Sequence, residues 1–210
     1  MKILNCFAHL DDAEIWAGGT LLKHSKRGDE IITITFSKNN EKRIEESKLS
    51  HSKLNAELVI LPYSILNESD KIMSELIKFF SNHAPNIILS HCYNDCHIEH
   101  RKVFEMCSNA IIKSWIKTSY PKAFFAVDTY NSQGLTDIFQ PTHYIDISEE
   151  WEEKMVLISN FKSQPTEIWK NMCYLQNSLY GNRVSKKFAE GFMQIPIQGR
   201  FTSIEYLHGE

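Results

Sequence analysis

The sequence predicts the α/β class: a mostly parallel sheet covered by helices on both faces, the doubly wound arrangement. Three observations lead there. Apolar, β-branched runs alternate with charged or amphipathic runs through the first half of the chain. Turn residues such as Arg27-Gly28-Asp29 and Pro62 punctuate the alternation. No Gly/Ser/Pro-rich linker, internal repeat or low-complexity segment interrupts it, so residues 1–210 are expected to form one domain.

The elements follow in order. Lys2 to Ala8 is an apolar run that reads as the first strand, and Glu14 to Ser25 as a helix stopped at Arg27-Gly28-Asp29. Glu30 to Ser37 carries Ile-Ile-Thr-Ile-Thr-Phe, a β-branched strand. Glu41 to Leu54 is a charged helix, and Glu57 to Leu61 a short strand closed by Pro62. Ser69 to Asn82 is an amphipathic helix, with Ile72, Leu76, Ile77 and Phe80 on one face and Ser69 as its expected N-cap. Asn86 to Ser90 is the next strand and His100 to Trp115 the next helix. Beyond them, Ala123 to Thr129 and His143 to Ile147 read as strands, and Glu149 to Phe161 and Thr166 to Tyr180 as helices. The last thirty residues carry no clear periodicity.

Composition narrows the function. The chain has 42% hydrophobic and 23% charged residues, as a soluble globular protein does. A net charge of −3 speaks against nucleic acid or an anionic membrane as partner. Lys23, Lys26 and Arg27 are more simply a solvated helix face than a basic patch. No apolar run approaches a membrane span, and the N-terminus lacks the pattern of a signal peptide, so a cytoplasmic protein is expected. Five scattered cysteines argue against a disulfide framework. An oligomer stays open.

Two clusters carry chemistry. Phe7-Ala8-His9-Leu10-Asp11-Asp12 places a histidine and two carboxylates at the end of the first strand. His9 and Asp12 can converge on one metal across a tight turn, leaving Asp11 free to act on water. Gly18 and Gly19 allow close backbone approach, and Trp16 fits core better than pocket wall. Taken alone, an Asp-Asp helix cap explains this cluster equally well. The second cluster is His97-Ile98-Glu99-His100, after the Asn86 to Ser90 strand. At the start of a helix the two histidines share a face, and Glu99 can pair with one of them when it is protonated. Asn94 and Asp95 shape the preceding loop, and His91 fits a satisfied strand-end histidine better than a metal ligand. In a parallel sheet both clusters fall on the rim where ligands sit, and they meet if their strands are neighbours.

A rival reading takes Cys92, Cys96, His97 and His100 as a structural zinc site in a non-enzymatic binding module. Ligands so close together struggle to form a closed tetrahedron, and this reading leaves the first cluster unexplained.

Ala8-His9-Leu10-Asp11-Asp12 with Gly18-Gly19, and His97-Ile98-Glu99-His100-Arg101 after Asn94-Asp95, resemble the paired motifs of the LmbE-like, or PIG-L, family of zinc-dependent N-deacetylases. Weaker similarities follow in order: Arg43-Ile44-Glu45-Glu46 before Leu54-Asn55-Ala56, Asp146 to Gln164 with Lys154 and Ser163-Gln164, and Lys187-Phe188-Ala189-Glu190-Gly191-Phe192. The resemblance implies a Rossmann-like deacetylase fold and one Zn2+ held by His9, Asp12 and His100. It implies Asp11 as general base, a protonated His97 facing the acyl oxygen, and Arg43 as a substrate contact. A solvated charge, or a salt bridge to Glu46, accounts for Arg43 nearly as well.

The implied reaction removes acetyl from an N-acetylglucosamine-type sugar, giving acetate and an amine. A non-sugar acylated amine is the alternative substrate, and iron(II) or cobalt also suit two histidines and a carboxylate. Tyr93 and Tyr130 are aromatic candidates for stacking on a sugar, though packing explains each more simply. Two departures stand out: Leu10 replaces the motif proline, and Glu99 replaces an aspartate expected to orient His97.

Overall fold

The computed structural model describes residues 1–201. Residues 202–210, part of the C-terminal stretch without clear periodicity, lie outside the described residues. The chain runs β1 (Lys2–Cys6), α1 (Asp12–Lys26), β2 (Glu30–Phe36), α2 (Glu41–Leu54), β3 (Glu57–Leu61), α3 (Ser69–His83) and β4 (Ile87–Ser90). It continues through α4 (Ile98–Thr118), β5 (Ala123–Val127), β6 (His143–Asp146), α5 (Trp151–Ser159), α6 (Thr166–Arg183) and β7 (Ala189–Ile195).

One seven-stranded sheet organises these elements in the order β3-β2-β1-β4-β5-β7-β6. The first five strands in that order pair in parallel, and β7 is antiparallel to both β5 and β6. Alternate side chains of β1 feed two cores. Ile3 joins Leu21, Trp16, Leu157 and Phe192 on one face, while Leu4 joins Ile32, Leu76, Val103 and Phe124 on the other. The sheet is therefore buried on both sides, as the near-continuous apolar runs of β1 and β2 require.

The chain turns back on itself between β1 and β4, which lie side by side with Cys6 opposite Ser90. Crossovers leave these two strands in opposite directions along the sheet, which makes the region beyond their carboxyl ends the switch point where ligands sit in open parallel sheets. The His9–Asp12 turn follows β1 and the His91–His100 stretch follows β4, so the two motifs meet at this point.

Several boundaries differ from expectation for identifiable reasons. α1 starts at Asp12 and not Glu14, with Asp11 at the N-cap position but making no capping bond through its side chain. α3 is capped at Glu68 and not Ser69, because a turn brings the Glu68 carboxylate to the Ser64 N–H at 2.9 Å. α4 starts at Ile98, because His97 is its N-cap and its Nδ1 accepts the Glu99 N–H at 3.2 Å. The strand β7 is an addition to the reading. Its Glu190 and Gly191 discourage a strand assignment, but both are specified by packing. Glu190 is paired with Lys154 at 2.8 Å, and a Cβ on Gly191 would lie 2.7 Å from the Tyr180 ring.

Among the described residues, no helix is long and apolar enough to cross a membrane. All five cysteines are unpaired. Lys26 pairs with Glu153 at 2.5 Å and Arg27 with Asp29 at 2.5 Å, so the basic cluster is a charge-balanced surface.

Candidate metal centre

His9, Asp12 and His100 converge. His9 Nδ1 lies 3.3 Å from Asp12 Oδ2, His100 Nε2 lies 3.6 Å from the same oxygen, and His100 Nε2 lies 3.2 Å from His9 Nδ1. Bonds of about 2.0–2.2 Å in a tetrahedral zinc site hold neighbouring ligand atoms roughly 3.3–3.6 Å apart. The three donors already stand at that spacing.

Their remaining polar atoms are occupied elsewhere. His9 Nε2 lies 2.9 Å from Glu99 Oε2, and His100 Nδ1 lies 2.9 Å from Asp95 Oδ2. The Trp16 indole N–H donates to Asp12 Oδ1 at 3.0 Å. Carboxylates behind the histidines fix each ring with one nitrogen turned inward, the support that metal-binding imidazoles need. The donor set therefore fits a zinc-sized cation. The structure places the Glu99 carboxylate against His9 and not His97: His97 Nδ1 accepts the Glu99 backbone N–H, and the Glu99 side chain reaches His9 Nε2.

Asp95 is a residue the sequence reading treated only as loop. It is buried, and it also accepts from Thr129 Oγ1 at 2.5 Å and from the His97 N–H at 2.7 Å. Its place two residues before His97 was the available signal. His91 is fully buried and stacks on His100 with centroids 3.6 Å apart. Its Nε2 lies 3.2 Å from Asp12 Oδ2, which makes Asp12, His91 and His100 a second metal-competent group. That nitrogen also accepts the Ala8 N–H at 2.9 Å, so its lone pair is already engaged. A third grouping joins His9, His97 and His100.

Charges in the crevice are strongly coupled. Burial works against a charge on His9, yet the Asp12 carboxylate beside it and Glu99 lift its pKa to about 10. Burial opposes ionisation of Asp12 too, but His100, His9 and His91 hold its pKa well below the usual range. Burial, then the neighbouring Asp12, pushes Asp11 up to about 6 against the pull of Arg43. Burial, then His100, lowers His91 to about 4. Burial followed by His100 and His9 also lowers His97. His97 Nδ1 accepts from the Glu99 N–H, which leaves Nε2 as the ring atom that can present a proton to a bound group.

Asp11 is buried, and its Oδ2 accepts from Arg43 Nη2. Arg43 thus reaches the motif carboxylate and not Glu46, which instead holds the Ser163 N–H at 2.8 Å. The motif loop is further tied to α2 by Ser47 Oγ, which donates to the Leu10 carbonyl at 2.8 Å. Because Asp11 caps nothing with its side chain and contacts Arg43, a simple helix-cap account of the aspartate pair does not hold.

Gly18 and Gly19 lie within α1, buried against Lys154 and Ile147. A Cβ on Gly19 would meet Ile147 at 2.7 Å. The rival cysteine site is not formed. Cys92 is buried against Ala126 and Phe139, Cys96 is exposed, and no metal-competent group among the described residues includes a cysteine. Tyr93 is exposed and packs on Phe104, whereas Tyr130 lies over the histidines, 5.5 Å from the His100 ring.

A parallel-sheet switch point bearing a clustered His/Asp donor set at metal-ligand spacing, with a second carboxylate held by Arg43 beside it, defines the class: an α/β protein with a candidate metal centre. The sequence matches the PIG-L family, described as GlcNAc-PI de-N-acetylase, over residues 4–111, and the chain belongs to that family. Solved structures share the fold at low identity. The 4-carboxy-2-hydroxymuconate hydratase GalB of Pseudomonas putida superposes with a TM-score of 0.82 at 17% identity, covering 99% of each chain. The N,N'-diacetylchitobiose deacetylase of Pyrococcus horikoshii gives 0.76 at 19% identity, covering 94% of this chain and 84% of that one. A zinc-inhibited form of teicoplanin deacetylase Orf2 gives 0.74 at 10% identity, covering 92% and 97%.

Proposed function

We propose that the protein is a metal-dependent N-deacetylase that removes acetyl from an N-acetylated amino sugar, releasing acetate and a free amine. The observation that carries this reading is the division of labour between adjacent aspartates. Asp12 joins His9 and His100 at metal-ligand spacing, while Asp11 stands beside them and faces Arg43. Family membership and the deacetylases among the structures of this fold support it.

In this reading His9 Nδ1, Asp12 Oδ2 and His100 Nε2 hold one divalent cation, with zinc best suited to two imidazoles and a carboxylate. A zinc ion held there would supply Lewis acidity, lowering the pKa of water towards neutrality and drawing charge from an acyl carbonyl. Asp11 accepts the proton as water attacks the carbonyl carbon, and its pKa of about 6 suits a base working near neutrality. Arg43 orients the buried Asp11 carboxylate and favours its ionised form. His97 donates its Nε2–H towards the developing oxyanion, a contribution worth roughly 3 kcal/mol for a well-placed donor. Asp11 then returns its proton to the leaving nitrogen as the C–N bond breaks, with His97 as the alternative donor. Glu99 and Asp95 do not touch the substrate, and hold the rings of His9 and His100.

The test is a substrate panel. Zinc-loaded protein is incubated with N-acetylglucosamine, its glycosides and nucleotide sugars, and with simple non-sugar acetamides, and acetate and free amine are measured. The expected result is equimolar acetate and amine from an amino sugar. Release from non-sugar amides alone moves the substrate class. No acetate from any amide, with metal bound, overturns the deacetylase reading, and water addition to 4-carboxy-2-hydroxymuconate in its place would put the chain with the hydratase of this fold.

A further inference from the structure

Tyr130, Asn131 and Ser132 have φ values of +43°, +60° and +64° in succession, and none is glycine. Side chains with a Cβ rarely enter this left-handed region, and three in a row persist only where the surroundings determine them fully. Here they do. On one side of the turn Thr129 Oγ1 donates to Asp95 Oδ2 at 2.5 Å, which ties it to the partner of His100. On the other, Ser132 Oγ donates to Asp128 Oδ2 at 2.6 Å and lies 2.9 Å from the Tyr180 hydroxyl.

The turn places one ring over the crevice. Tyr130 lies within 18° of parallel to His100 at 5.5 Å and within 20° of parallel to His97 at 6.5 Å. Its edge contact with Trp16 at 5.3 Å adds the residue that holds Asp12. Core packing alone does not account for the phenol. The half-buried ring packs against the core cluster that holds Trp16, but its hydroxyl has no hydrogen-bond partner among the described residues. Tyr180, by contrast, is buried and its hydroxyl is held by Asp128. A ring fixed above His97 and His100 borders whatever acyl group is bound at the donor cluster.

We propose that Tyr130 is a substrate-contacting residue, its ring forming a wall at the acyl end of the bound amide and its hydroxyl donating a hydrogen bond to it. This rests on the deacetylase reading for the identity of the substrate, but not for the contact. Tyrosine in this position restricts the space beside the donor cluster and so favours a small acyl group such as acetyl.

Tyr130→Phe keeps the ring and removes the hydroxyl, and Tyr130→Ala removes both. Zinc content, melting temperature, kcat, KM and binding of acetohydroxamate by calorimetry are measured for each against the wild type. For Tyr130→Phe the expected result is unchanged zinc content and melting temperature, with kcat/KM about three- to tenfold lower and acetohydroxamate bound more weakly by a similar factor. Tyr130→Ala is expected to lose more, and to gain relative activity on larger acyl groups. A Tyr130→Phe protein that matches the wild type in kcat, KM and acetohydroxamate affinity overturns the inference. A wild type that hydrolyses no amide overturns the deacetylase reading alone. The acetohydroxamate comparison then still decides the contact, weaker binding to Tyr130→Phe supporting it and equal binding refuting it.

Discussion

Glu99 Oε2 lies 2.9 Å from His9 Nε2, joining the second motif to the first across the β1–β4 boundary. The His9 contact is the largest influence lowering the pKa of Glu99, so the pair is an imidazole backed by a carboxylate. Removing that support is expected to loosen the metal before it alters chemistry. Glu99→Ala should weaken zinc affinity about tenfold or more, by analogy with other carboxylates behind metal-bound histidines. Competition with a chromophoric chelator measures it, and an unchanged Kd removes Glu99 from the centre.

Asp95→Asn makes the companion prediction for His100. The carboxylate receives bonds from His100, Thr129 and the His97 backbone, all within 2.9 Å. The amide can still accept, but it cannot hold the ring as an anion does. Zinc affinity should fall about tenfold or more, and the Thr129 anchor of the neighbouring turn should slacken. Amide hydrogen exchange across residues 129–133 reads the second effect independently of metal.

Asp128 carries a pH signature of stability. Burial pushes its pKa up to about 6, although Ser132, Tyr180 and Gln176 all donate to it. Its folded pKa lies above the unfolded value of about 3.9, so the folded state holds the proton more tightly. The associated stability is present below about pH 4, falls as pH rises through about 6, and is flat above that. Two units correspond to about 3 kcal/mol as an order of magnitude. In urea melts from pH 4 to 7, Asp128→Asn should lack this loss, so its stability relative to the wild type rises with pH. Parallel curves would rule the assignment out.

The buried pair of Lys154 and Glu190 sits behind α1. Their atoms meet at 2.8 Å, Asn177 accepts from the same ammonium at 2.9 Å, and Glu190 takes the Gly19 and Thr20 N–H groups at 2.9 and 2.8 Å. Breaking such a pair from one side leaves an uncompensated buried charge, costing about 3–5 kcal/mol. Lys154→Met should therefore be strongly destabilised in urea melts, and Lys154→Met with Glu190→Leu should recover much of the loss. A single variant as stable as the wild type would show that the pair is not coupled in solution.

These relationships also mark what the sequence could disclose. Strands β1 to β5 and the helices between them were readable because each is locally consistent: β-branched runs, charged runs and turn residues agree with the final fold. The two motifs were readable as clusters, and their meeting followed from the ligand rule for parallel sheets once β1 and β4 proved to be neighbours. The partnerships of Glu99 with His9 and Asp95 with His100 were not, because they depend on where α4 starts, and that turns on His97 acting as a cap. β7 was hidden because Glu190 and Gly191 obey tertiary packing and not strand propensity. The Tyr130 turn was hidden because left-handed backbone without glycine leaves no compositional trace.

The central claim is that Asp12 serves the metal while Asp11 serves the proton. It is tested most directly by zinc stoichiometry and acetate release measured together on Asp11→Asn and Asp12→Asn proteins. The account predicts that Asp11→Asn binds one zinc per chain and loses turnover by about a hundredfold or more, whereas Asp12→Asn loses the metal itself. An Asp11→Asn enzyme with wild-type turnover, or an Asp12→Asn protein with its zinc intact, would contradict it.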